Sequence, residues 1–311
     1  MNETVAIIGA GLIGRSWSVL FARAGYAVQV WDADANVLER FAEDMATLCG
    51  TLVAEKLLED RDGTLARIRT CATLEAAVAG VVFVQENGPE KIDVKQRLFA
   101  DLDAATPANA IIASSTSAIV PSRFTENLAQ RGRCLVGHPV NPPHLVPVVE
   151  LCPAPWTTVE TMNRAEAIYS AIGQVPVRMT RERDGFVLNR LQGALLAEAL
   201  RLLGEGVVSV EGLDATIKDG LGLRWALMGP IETIDLNAPG GIVDYATRYG
   251  GFYAGLAEEP AGPEVFSVAN AEKIAATWPQ DRSPDSIRAR QDRRDARLAA
   301  LRRHLASCRQ T

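Results

Sequence analysis

Long hydrophobic runs are missing from this chain, and its apolar stretches are interrupted by charge or glycine well short of the roughly 20 residues of a membrane-spanning helix. Paired cysteine spacing is missing too. Cys49, Cys71, Cys134, Cys152 and Cys308 show no C-x-x-C pattern, which argues against a disulfide framework or a zinc site and for reduced thiols. There is no excess of positive charge: the formal net charge is −6, so nothing draws the chain to nucleic acid or to an anionic membrane. The start, "MNETVAIIGAG", runs into an apolar strand without a basic leader or cleavage site. These absences lead us to expect a cytoplasmic protein. What remains is an ordinary soluble composition, 48% hydrophobic and 23% charged, in 311 residues, enough for two domains.

Short β-branched runs alternate with amphipathic helical stretches in the first half. Strands are predicted over 4–9, 27–32, 81–86, 110–115, 134–138, 146–151 and 174–179, with helices running to about Ala24 and beginning near Asp34. Strands interleaved with helices imply a doubly wound, mostly parallel sheet, and runs such as "AIIA" suit strands buried on both faces. After about Arg183 strands disappear and helical periodicity takes over, with Leu188, Leu191, Leu195 and Leu202 on one apolar face. The tail from Ile287 to Leu305 is an Arg- and Ala-rich helix with a stripe of Leu298, Leu301 and Leu305, its charges a solvated face. The expectation is a Rossmann-type α/β domain over 1–183 and an all-helical domain over 184–311.

"GAGLIG" (9–14) matches G-x-G-x-x-G, a weak signal alone, but here it follows a strand and opens a helix. Gly9 suits the tight turn, Gly11 lets a pyrophosphate approach the helix N-terminus, and Gly14 allows close helix–strand packing. Asp32 ends the second strand eighteen residues after Gly14, placed to accept hydrogen bonds from a ribose. Ala33 and Asp34 follow it, so no adjacent cation awaits a 2′-phosphate. NAD is expected rather than NADP.

The stretch "VGHPVNPPHLVPVVEL" (136–151) holds four prolines, His138, His144 and, inside an apolar run, the carboxylate of Glu150. An enzyme that oxidises an alcohol with NAD needs a base for the hydroxyl proton, and histidine suits neutral pH. His138 falls at the carboxyl end of a predicted parallel strand, where open α/β sheets place their ligands. Glu150 could orient one imidazole nitrogen and stabilise the imidazolium, as the acid of a catalytic triad does. The plainer alternative is a satisfied core histidine beside a surface glutamate. Ser117, in "SSTS" (114–117), also follows a strand end; the absence of G-x-S-x-G argues against a hydrolase nucleophile, leaving a substrate-binding hydroxyl or else a helix N-cap or turn residue.

The stretches "GAGLIG", "QENGPEKIDVKQRLF" (85–99), "SSTS", "GHPVNPP" with Glu150, and "GFVLNRL" (185–191) occur in an order that resembles the 3-hydroxyacyl-CoA dehydrogenase superfamily over nearly the whole chain. The resemblance is strongest to its L-gulonate 3-dehydrogenase branch. It implies that His138 is the catalytic base with Glu150 as partner, that Ser117 and Asn189 act beside it on the substrate, and that Leu12, Ile13, Asp32, Glu90 and Lys95 contact NAD. Without the resemblance, Glu90 and Lys95 read as exposed helix charges. A small hydroxy acid, most simply L-gulonate, is the expected substrate, and Arg224 is the candidate for its carboxylate. An internal ion pair of Arg224 with Glu232 or Asp235 is the alternative. An acyl-CoA substrate is the main rival, against which the segment 33–80 looks short for the helical hairpin of many acyl-CoA members. Carnitine is another rival, whose enzymes favour Asp where this chain has Asn189. One relative accumulates as a lens crystallin, so a structural or non-catalytic NAD-binding role is the reading of a different class. A homodimer through the helical domain is expected.

Overall fold

The computed structural model describes residues 3–308, and no helix among them is long and apolar enough to cross a membrane. Its sheet has eight strands: β1 (Thr4–Ile8), β2 (Ala27–Trp31), β3 (Ile68–Thr70), β4 (Phe83–Glu86), β5 (Ile111–Ser114), β6 (Cys134–Pro139), β7 (Val148–Pro153) and β8 (Val175–Arg178). Their spatial order is β3-β2-β1-β4-β5-β6-β7-β8, parallel except for the antiparallel β6–β7 pair. Seven of the strands coincide with those expected from sequence. The eighth, β3, is three half-exposed or exposed residues at the sheet edge, too short to leave a periodic signal.

Alternate residues of each central strand supply opposite layers of core. Val5 and Ile7 of β1 join Phe83, Ile111, Ala113, Leu135 and Val149 on one face. Ala6 and Ile8 join Val84, Ile112, Val136 and Cys152 on the other. That two-sided burial explains why these strands carry unbroken apolar runs, since successive side chains point to opposite faces and both faces are covered. Helices α1 (Leu12–Arg23), α2 (Ala35–Ala54), α3 (Ile92–Ala105) and α4 (Val159–Ala171) do the covering. Asp34 caps α2 by accepting from the Asn36 amide, and Thr158 caps α4 by accepting from Thr161.

The chain forms two compact units, one of the described residues up to Asn189 together with those from Gln291 on, the other of Arg190–Arg290. Helix α5 (Leu188–Gly204) starts in the first and runs into the second. The second unit is helical throughout, its longest internal helix being α6 (Gly241–Ala257). Helix α7 (Pro284–Cys308) returns to the first unit, where sequence had placed the whole tail in the helical domain. Its end is held there by Ala299 in the core, by Arg303 donating to Glu55 at 2.8 Å, and by Arg302 donating to the His144 carbonyl at 2.9 Å. Leu298, from the expected stripe, packs against the same core.

Candidate active site

The parallel strands β1, β4, β5 and β6 end on one edge of the sheet. Gly9, Asn87, Ser115–Ser117 and His138 sit at or just beyond those ends, where the strand order of a doubly wound sheet leaves a crevice. At β1 the glycines do what the fingerprint requires. Gly9 has φ +95°, and a Cβ there would lie 2.8 Å from the Asn87 carbonyl oxygen; a Cβ on Gly14 would lie 1.9 Å from the Gly9 carbonyl oxygen. A Cβ at Gly11 would instead project into open space at the start of α1, whose N-cap makes no side-chain hydrogen bond. Unsatisfied first-turn amides and a clear approach are the donor set that a pyrophosphate needs. Leu12, 70% exposed, and the half-buried Ile13 open the helix beside it. Asp32 accepts from the Ala10 amide at 2.7 Å and from the Asp34 amide at 2.9 Å, which fixes its carboxylate at the end of β2 with acceptor capacity left for a ribose. These residues fit NAD.

The antiparallel turn of the sheet answers why His138 and Glu150 stand twelve residues apart. In the β6–β7 register they are direct partners, and both fall on the face that carries Val136 and Cys152. The side chains meet: His138 Nδ1 is 2.8 Å from Glu150 Oε2, with His138 4% exposed and Glu150 2% exposed. A carboxylate can only accept, so Nδ1 carries the proton and Nε2 presents its lone pair. Glu150 Oε1 accepts two further bonds, from the Val187 and Leu188 amides at 2.8 Å each, and so closes the N-terminus of α5 from a neighbouring strand. Burial pushes the Glu150 carboxyl upward; the bonds from His138, Leu188 and Val187 outweigh it and hold the group below the usual carboxylate range. The plainer reading, with Glu150 on the surface, does not survive this geometry.

The same helix start delivers Asn189, whose Nδ2 donates to the Ser117 carbonyl at 2.7 Å. Ser117 is pinned from its other side as well, its amide lying 3.4 Å from Glu90 Oε2, while Glu90 Oε1 accepts from the Ala118 amide and from the Thr116 hydroxyl. Ser117 is a bend residue, not a helix cap, and its exposed hydroxyl has no partner among the described residues. A continuous chain of bonds therefore runs from His138 through Glu150 and the α5 start to Asn189, Ser117 and Glu90. Lys95 is 1% exposed, which corrects its reading as a surface helix charge. Its ammonium bonds both Glu86 oxygens at 3.0 and 2.9 Å and reaches the Ser114 hydroxyl at 3.4 Å, committing its donors inside the protein beneath the "SSTS" loop.

His144 is a structural residue. Its Nδ1 lies 2.9 Å from the Ser16 hydroxyl of α1, joining the proline-rich loop to the nucleotide-side helix, while Arg302 holds its carbonyl. Burial lowers its imidazole to about 4, with Asp295 acting against and Arg302 and Arg23 adding to the shift. In the second unit Arg224 is exposed and makes no ion pair among the described residues, so neither Glu232 nor Asp235 holds it. Sequence reasoning passed over Phe186. It is a non-glycine residue at φ +49°, 1% exposed, with its ring 5.3 Å from the His138 imidazole. The signal was faint: a Gly–Phe pair ahead of the helix, with nothing to say that the phenylalanine itself turns the chain. No group of metal-ligating side chains occurs among the described residues.

Comparison with known proteins matches residues 4–183 to the 3-hydroxyacyl-CoA dehydrogenase NAD-binding domain and residues 185–269 to the 3-hydroxyacyl-CoA dehydrogenase C-terminal domain. The chain is similar to the lambda-crystallin of Oryctolagus cuniculus, 42% identical with 97% of each chain covered. It is 40% identical to an L-carnitine dehydrogenase of Streptomyces griseus, over 79% of this chain and 73% of that one. Among solved structures, the NAD-dependent 5-formyl-3-hydroxy-2-methylpyridine 4-carboxylic acid 5-dehydrogenase superposes with a TM-score of 0.84 at 28% identity, covering 98% of this chain and 99% of the other.

Proposed function

The chain belongs to the 3-hydroxyacyl-CoA dehydrogenase family and is an NAD-dependent oxidoreductase; from that premise we propose that it oxidises the 3-hydroxyl of a small free hydroxy acid, most simply L-gulonate to 3-dehydro-L-gulonate, with His138 as general base. Bound NAD supplies the acceptor for the hydrogen that leaves carbon with its electron pair. The chain's own residues supply the rest. His138 Nε2 takes the hydroxyl proton, and Glu150, ionised and within 2.8 Å of Nδ1, stabilises the imidazolium that results. Ser117 offers its hydroxyl to the substrate oxygen, and Asn189 holds the Ser117 backbone while lying next to the Glu150-capped turn. One observation carries this reading: a buried carboxylate fixes the tautomer of a histidine at the carboxyl end of a parallel strand.

The choice of a free sugar acid is supported by the full-length similarity to lambda-crystallin and to a pyridine-carboxylate dehydrogenase. Asn189 is neutral, which disfavours the quaternary ammonium of carnitine. Between β2 and β3 the chain holds one long helix, α2, and one short helical segment, Arg61–Ala66, a small platform for a CoA moiety. Arg224, exposed and without an ion pair among the described residues, has a guanidinium available for a carboxylate. A homodimer through the second unit belongs to the same proposal. Helices α5 and α6 bury none of their residues, and Leu191, Val243, Phe252 and Leu256 are exposed, more apolar surface than a monomer keeps in water.

The test is NADH formation with L-gulonate, L-3-hydroxybutyrate, 3-hydroxybutyryl-CoA and L-carnitine supplied in parallel. The highest kcat/KM falls on L-gulonate. Turnover of the CoA ester alone would replace the free-acid reading, and NAD binding with no turnover of any substrate would favour a structural role.

A further inference from the structure

We infer that Phe186 is a positioning residue for the general base, holding His138 with its ring and Glu150 through its backbone; the inference rests on the reading of His138 as base. Three observations converge on this residue. Gly185 and Phe186 both adopt left-handed backbone, at φ +76° and +49°, and together they reverse the chain into α5. A residue with a Cβ rarely takes that conformation, and glycine or asparagine is the ordinary choice. Here the position carries a large aromatic that is 1% exposed.

The turn aims the next two amides, Val187 and Leu188, at Glu150 Oε1, both at 2.8 Å. A relaxed turn would point those amides elsewhere and leave one oxygen of the carboxylate unbound in a buried site. The side chain does a second job. It packs into the core layer of Val136, Cys152 and Phe124, and its ring centroid lies 5.3 Å from that of His138 at an interplanar angle of 44°. His138 is tied to Glu150 by one nitrogen only, a single bond about which the imidazole could swing. The Phe186 ring packs beside the imidazole and limits that swing from one side, in a site where His138 is 4% and Glu150 2% exposed. One residue thus sets the acid through the turn it makes and the base through its side chain.

The experiment compares Phe186→Leu and Phe186→Gly with the wild-type enzyme and with His138→Ala, all with NAD and the best hydroxy acid substrate. Phe186→Gly keeps the left-handed turn and removes the ring; Phe186→Leu keeps apolar volume and removes the plane. Both are expected to fold, to bind NAD as the wild type does, and to leave KM unchanged. Their kcat falls about 10- to 100-fold, the cost of a slightly misplaced reacting group, with Leu the milder of the two. The pH profile of kcat/KM changes shape, and the downfield proton resonance of the His138 Nδ1–H, protected in the wild type, broadens by exchange with water. Wild-type kcat, profile and resonance in Phe186→Leu would overturn the inference even if the Gly variant fails to fold. Full turnover in His138→Ala would instead remove the base reading on which it stands, so the two failures are told apart.

Discussion

Replacing Glu150 with Gln tests the dyad at its most informative atom. The carboxylate accepts three bonds, from His138 Nδ1 and from the Val187 and Leu188 amides. An amide of the same shape can still accept the two backbone bonds through its single oxygen. Its NH2 group then faces His138, and Nδ1 must become the acceptor. That moves the imidazole proton to Nε2 and removes the lone pair that takes the substrate proton. In serine protease triads the same acid-to-amide change, which imposes the wrong tautomer and removes the imidazolium's counter-charge together, costs about 10⁴-fold in turnover, and we expect a kcat loss of that order here. Stability should fall by about 1–3 kcal/mol, since one charge-assisted bond and the favourable charge at the α5 N-terminus are lost and the second N–H of the new amide has no acceptor in the buried site. Truncation to Ala would orphan three donors, the His138 Nδ1–H and the Val187 and Leu188 amides, and confound the two effects. The assay is steady-state NADH formation at saturating substrate, alongside NAD titration and a thermal melt. A Glu150→Gln enzyme that binds NAD normally and turns over within about threefold of the wild type would refute the tautomer argument.

Further expectations concern other parts of the molecule. Gly14→Ala drives a Cβ to within 1.9 Å of the Gly9 carbonyl oxygen, so NAD affinity and Tm both drop, the latter by an amount equivalent to about 1–3 kcal/mol or more; unchanged calorimetric affinity would contradict the packing described. His144 is ordinarily half-protonated at 6.5 and here at about 4, so the unfolded state binds the proton more readily and stability declines as pH falls through that window, by at most roughly 3 kcal/mol. Glu150, held below the usual range, adds its own loss only below about 4.5. Urea melts of the wild type and His144→Asn between pH 7 and 4 check this, with a shallower slope expected in the variant. Arg224→Ala should raise KM for the acid with little change in kcat, and unchanged kinetics would end its assignment to the carboxylate. Sedimentation equilibrium should find a dimer, and a stable monomer would remove the second unit's apolar surface as its interface.

Most of the sheet was legible because its strands are buried on both faces and write continuous apolar runs into the sequence, as β1 and β5 do. β3 left no such run, and the return of α7 to the first unit could not be read from a helix that is charged along most of its length. At the site, residue types announced themselves where chemistry demanded them: glycines before a helix, an acid at the end of β2, a histidine beside prolines. Partnerships between distant residues did not. Without the family resemblance Lys95 looked like a surface charge, because its counter-charge, Glu86, ends a strand nine residues earlier and nothing in the sequence shows that the two side chains meet. Glu150 was visible as half of a pair, but its second bond set depends on the backbone turn at Phe186, and a φ angle has no signature in a phenylalanine.

The most direct test of the central claim is the His138→Gln variant, assayed for NADH formation and, separately, for NAD affinity by calorimetry. The account predicts wild-type affinity, because His138 is bonded to Glu150 and takes no part in the glycine turn, with turnover reduced by about 10²-fold or more. A variant that binds NAD as well as the wild type and oxidises the hydroxy acid at the wild-type rate would contradict it.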